Sequence, residues 1–96
     1  MTELILVSPD NRSLRPLIEG ALANELRLLQ AGIRQTEQRL HTFEQQYQMT
    51  TALFLQKFEN DELDETLDLA EWIGEWRLLQ RLREKVNTVQ GISFAN

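Results

Sequence analysis

Leu22-x-x-x-Leu26-x-x-Leu29-x-x-x-Ile33-x-x-Thr36-x-x-x-Leu40-x-x-Phe43-x-x-x-Tyr47 is the stretch on which the fold turns. Its spacings alternate between four and three, the period of a heptad, and Thr36 is its one polar member. Such a stripe predicts one helix over 13–48, on the order of 54 Å long at about 1.5 Å per residue. Ser13 offers an N-cap, and Pro16 falls in the first turn, where its missing N–H leaves nothing unsatisfied. Gly20 and Gly32 each cost roughly 1 kcal/mol relative to Ala. They mark close helix contacts or mild weakness and do not end the helix.

Downstream, Thr50 or Thr51 caps a short helix over 50–58 carrying Leu53, Phe54, Leu55 and Phe58, and Asn60-Asp61 breaks the pattern. A third helix is expected over 64–89, with Leu69, Trp72, Ile73, Trp76, Leu79, Leu82, Val86 and Val89 on one broad stripe until Gly91 stops it. Upstream, Leu4, Ile5, Leu6 and Val7 read as a strand, and Ser8-Pro9-Asp10-Asn11 as the turn closing segment 1–11. The tail 91–96 contains Ile92-Ser93-Phe94, whose alternation suits a short strand beside 4–7. The expected architecture is therefore a mainly α single domain over 1–96. It is a long antiparallel helical hairpin with a short intervening helix and a small two-stranded element joining the termini.

Ninety-six residues make a small core, and a partner helps a domain of this size. The stripes are also wide: Leu28 adjoins Leu29, and Leu78 adjoins Leu79, so apolar surface wraps beyond one seam. A homodimeric bundle is expected, with Leu22, Leu26, Leu29 and Ile33 as its seam. The 15 acidic residues outweigh the 10 basic ones, which disfavours a phosphate backbone as ligand. The chain has no cysteine, which removes disulfides, thiol catalysis and cysteine-bound zinc. No secretory signal pattern and no membrane-length apolar run occur, so a cytoplasmic location is expected.

Residues 58–75 hold eight carboxylates and no base, and Arg77, Arg81, Arg83 and Lys85 follow. Complementarity to the dipole of the third helix is one account of this arrangement. The competing account is a surface for a basic protein, because opposite charge speeds encounter and selects partners. The residues expected to bind such a partner are Glu62, Asp64, Glu65 and Asp68, with Trp72 and Trp76 as either core or anchors. Paired acids such as Glu62-x-x-Glu65 and Glu71-x-x-x-Glu75 superficially resemble magnesium-binding helical pyrophosphatases. The second acidic motif those enzymes need is missing: beyond Glu75 only Glu84 carries a carboxylate. His41, the lone histidine, lies off the seam with no nucleophile pattern around it, and no Gly-rich phosphate loop is present. No catalytic, cofactor or metal site is expected, and no enzyme.

Tyr47-x-Met49-Thr50-x-x-x-Phe54-x-x-Lys57-Phe58-Glu59-x-x-Glu62-Leu63, followed by Glu71-Trp72, resembles a pattern in small helical proteins of archaea and cyanobacteria. Many of these are encoded beside a small toxin and are taken to be its antitoxin. The likeness covers 47 to about 82, and the first helix only as a long helix. Asn60-Asp61 departs from it, standing where the pattern has a residue followed by Gly. The resemblance implies a non-enzymatic partner that neutralises a toxin by binding it. Two other readings compete: a self-assembling scaffold, which the heptads equally permit, and a ribbon-helix-helix-like DNA-binding dimer. Against the latter, Glu3 sits in the strand and residues 1–40 balance five acids with five bases.

Overall fold

The computed structural model describes residues 2–4 and 14–94. Three helices dominate: α1 over Arg15–Tyr47, α2 over Thr51–Glu59 and α3 over Leu67–Gln90. The backbone of β1, Thr2–Leu4, runs parallel to β2, Ile92–Phe94. Of the strand expected over 4–7 only Leu4 lies within the described residues; the turn at 8–11 and the Ser13 cap lie outside them.

α1 runs unbroken through both glycines. A Cβ on Gly32 would meet Leu82 Cδ1 at 3.5 Å, so this glycine sits where α1 and α3 touch, whereas Gly20 faces open space. The helix ends on Gln48 in the left-handed region at φ 55°. For α2, Thr50 is the cap: its hydroxyl accepts from the Leu53 N–H at 3.1 Å, and Glu44 Oε2 accepts from the Thr51 N–H at 2.7 Å. α3 begins at Leu67, three residues later than expected. Extended Thr66 takes the cap and accepts from the Leu69 N–H at 3.2 Å, which leaves 62–65 in the connection. Gly91 caps α3 in a right-handed conformation, so it is not the left-handed freedom of glycine that stops the helix.

Contacts between α1 and α3 fix their direction. Tyr47 reaches Asp68, Arg39 Nε lies 2.9 Å from Glu75 Oε2, and Gly32 adjoins Leu82. Numbers fall on one helix as they rise on the other, so the pair is antiparallel. α2 packs across the upper part only, and there the buried apolar residues are Leu40, Phe54, Leu69, Trp72 and Leu79. Trp72 is 0% exposed, and its ring stacks on Phe54 at 4.0 Å and on Phe43 at 5.5 Å. The indole N–H donates to Thr51 Oγ1 at 3.0 Å, so this large aromatic is buried with its polar atom satisfied. Thr36, the polar member of the seam, is also buried and donates to the Gly32 carbonyl at 2.8 Å.

Below Leu29 the cover thins. Ile18, Leu22, Leu26, Leu82, Val86 and Val89 are only half-buried, because among the described residues no third helix lies over the two as α2 does above. The molecule measures 61 × 21 × 18 Å with a radius of gyration of 19.2 Å, against about 12–13 Å for a compact chain of this length. Its accessible surface is 7316 Å², where about 5,700 Å² is usual for the mass.

Two measurements test this account of the fold. Trp72→Ala removes the ring on which α1, α2 and α3 converge and is expected to cost about 3–5 kcal/mol, a large share of a small domain's stability; urea unfolding reads this as a lower midpoint. Asp61 occupies the left-handed region at φ 54°. Asp61→Gly is therefore expected to stabilise by about 0.5–1 kcal/mol, seen as a raised midpoint with an unchanged slope.

Candidate protein-binding site

Capping determines what the acidic segment presents. Because Thr66 starts α3, Glu62, Asp64 and Glu65 stay in the connection between α2 and α3, where all three are exposed. Among the described residues none of these three carboxylates has an ion-pair partner within 4 Å. Three other acids at this end are engaged, while Glu59, Asp61 and Glu71 are exposed. Asp68 Oδ2 accepts from Tyr47 Oη at 2.8 Å and from Gln46 Nε2 at 3.3 Å, so it ties the top of α1 to the first turn of α3. Glu75 pairs with Arg39, and Glu44 is spent on the start of α2.

Of the residues expected to anchor a partner, Trp72 is corrected. Its ring is internal and hydrogen-bonded, and no partner reaches it in the folded chain. Trp76 is half-buried and opens onto a groove with Leu40, Ala52, Leu55 and Leu79, away from the free acids. Of the expected dimer seam, Leu29 is buried within the single chain, and Leu22, Leu26 and Ile33 are half-buried on the same stripe, which faces α3. His41 is solvent-exposed, 3.9 Å from Glu44 Oε1. Among the described residues no group of three or more His, Asp or Glu is disposed to hold a metal ion.

The apolar surface beside the free acids is one that periodicity along the main stripe overlooks. Phe58, Leu67, Ala70 and Ile73 line a shallow groove between the end of α2 and the start of α3, with Glu65 and Arg77 at its edges. Leu67 is 76% exposed. The signal lay in the three-residue spacing of 67, 70 and 73, which runs off the edge of the broad stripe at Ile73. The result is a tip that combines three free carboxylates with an apolar groove. It suits a basic surface carrying one or two apolar side chains, since charge guides approach and apolar burial holds the complex.

Charge is also zoned along the rod. Residues 43–75 carry nine carboxylates against Lys57, net -8. Residues 14–42 and 76–92 carry eight bases against four carboxylates, net +4. Compared with known protein families, with curated proteins and with solved structures, the chain matches none.

The Tyr47 contact has a pH consequence. The hydrogen bond to Asp68, then burial, then the Asp68 charge raise the Tyr47 pKa above its ordinary 10.0. The folded state thus favours the protonated phenol more than the unfolded state does. Its contribution to stability is complete below the unfolded pKa and is lost as pH rises through the folded one. Stability of the native chain should fall more steeply above about pH 10 than that of Tyr47→Phe, as denaturant midpoints across that range would read.

Proposed function

We propose that the protein is a non-enzymatic binding module whose acidic tip takes a small basic protein, in the manner of the antitoxin-like proteins that residues 47–82 resemble. One observation carries the reading. Among the described residues Glu62, Asp64 and Glu65 stand exposed without an ion-pair partner, and Glu65 lines the groove of Phe58, Leu67, Ala70 and Ile73. Unpaired charge does not help the fold, because like charges held close together destabilise it. It does help a complex, where opposite charge raises the rate of encounter and apolar anchors slow dissociation. Each free acid is also in a connection, where side chains are not committed to the core. Neutralisation of a basic toxin follows if the complex covers the toxin's working surface.

The test is stopped-flow association with the product of the adjacent gene, which this reading expects to be a small basic protein. In the Glu62→Gln, Asp64→Asn, Glu65→Gln variant the association rate at low salt is expected to fall about tenfold or more, and the two rates converge at high salt. An unchanged low-salt rate would refute the electrostatic part. Leu67→Ala is expected to shorten the lifetime of the complex and leave the association rate unaltered.

A further inference from the structure

The lower half of the rod carries a second stripe that the hairpin does not use. Leu17, Ala21, Asn24, Leu28 and Ala31 follow spacings of 4, 3, 4 and 3, a heptad offset from the inward one. Leu17 and Leu28 are eleven residues apart, hence within about 20° of each other around the helix. They are 69% and 59% exposed. Ala21 and Asn24 between them are exposed too, and beyond Ala31 the stripe turns polar with Gln35, Gln38 and Thr42. Leu28 lies one turn below Gly32, which adjoins Leu82, and Val89 lies two turns along α3 from Leu82 on the same side. Both helices therefore contribute to one apolar face, confined to the end that α2 does not cover.

We propose that a second copy of this chain packs on that face in antiparallel orientation, with Leu17 of each copy against Leu28 of the other, as a four-helix bundle of the lower halves. Area supports a second copy. The chain exposes roughly 1,600 Å² more than a compact monomer of its mass, twice the roughly 800 Å² per partner that a stable interface removes. On the α1 stripe the charges balance, Arg15 and Arg27 against Glu19 and Glu25, and the net positive charge of the lower half comes from α3, where Arg81, Arg83 and Lys85 outnumber Glu84. Charge also selects the orientation, since a parallel pair would bring the two net -8 ends together, whereas the antiparallel pair sends them to opposite ends. The α1 stripe is self-complementary about its centre: Leu17 meets Leu28 as Ala21 meets Asn24. Both acidic tips stay open, and the dimer offers two partner sites facing away from each other.

Light scattering on the full chain at micromolar concentration is expected to give twice the 11.3 kDa of one chain. Leu17→Glu with Leu28→Glu, both at exposed positions, should give the single-chain mass with helical circular dichroism unchanged. A spin label on Gln38→Cys, the only thiol, is expected to report a separation of about 45 Å, from roughly fifteen residues on either side of the centre. A parallel pair would give under about 20 Å, near the spacing of adjacent helices. A wild-type monomer, a dimer that survives the double substitution, or the short label distance would each overturn the proposal. The monomeric double variant also separates this inference from the acidic-tip reading, because it should bind the basic partner as the native chain does.

Discussion

The Trp72 indole is where the three helices meet, and the rest of the molecule depends on that junction. Phe43 brings α1 against the ring, Phe54 brings α2, and Thr51 accepts the indole proton. A nine-residue helix has little stability of its own, because nucleation is costly and few bonds repay it. α2 persists because Phe54, fully buried, locks it to Trp72, while Thr50 and Glu44 satisfy its first amides. The Tyr47 and Asp68 contact then closes the top of the hairpin a short way off.

Concentrating the cover at one end leaves a polarised rod. Its upper part has three layers and a closed aromatic core, and its lower part has two helices with half-buried Leu22, Leu26 and Val86 between them. Apolar side chains on a two-helix layer cannot all turn inward, because each helix offers only one stripe to the other. The charge follows the same division, acidic where the core is closed and basic where it is open. In the proposed assembly one end takes the charged encounter and the other the apolar contact, so the two kinds of association do not compete for the same surface.

Much of this was legible in the chain itself. The heptad from Leu22 to Tyr47 specifies a long helix in which Gly20 and Gly32 cause no break, because two isolated glycines cost less than the surrounding turns supply. The short second helix and the break at Asn60-Asp61 also follow from local chemistry. Asp61 adopts the left-handed conformation at the position where the resembling pattern has Gly, so the turn survives the substitution. Less legible was the start of α3, since Asp64 and Thr66 are both competent caps by residue type. Which one acts depends on how much chain is needed to cross from α2, a distance that only packing sets.

By itself the sequence determined the helical elements, their amphipathic stripes and the excess of acid around 58–75, because periodicity and charge order are properties of neighbours along the chain. Tertiary structure alone decided which members of each set are free. Trp72 and Trp76 share a stripe one turn apart, yet α2 covers the first and leaves the second half-open. Asp68 and Glu65 belong to one acidic run, yet Tyr47 claims the first and none of the described residues pairs with the second. Leu28 and Leu29 are adjacent, yet the antiparallel register buries Leu29 and leaves Leu28 in water. The physical reason is common to all three: exposure depends on what a distant segment places over a residue, and that follows from the length and register of the helices brought together.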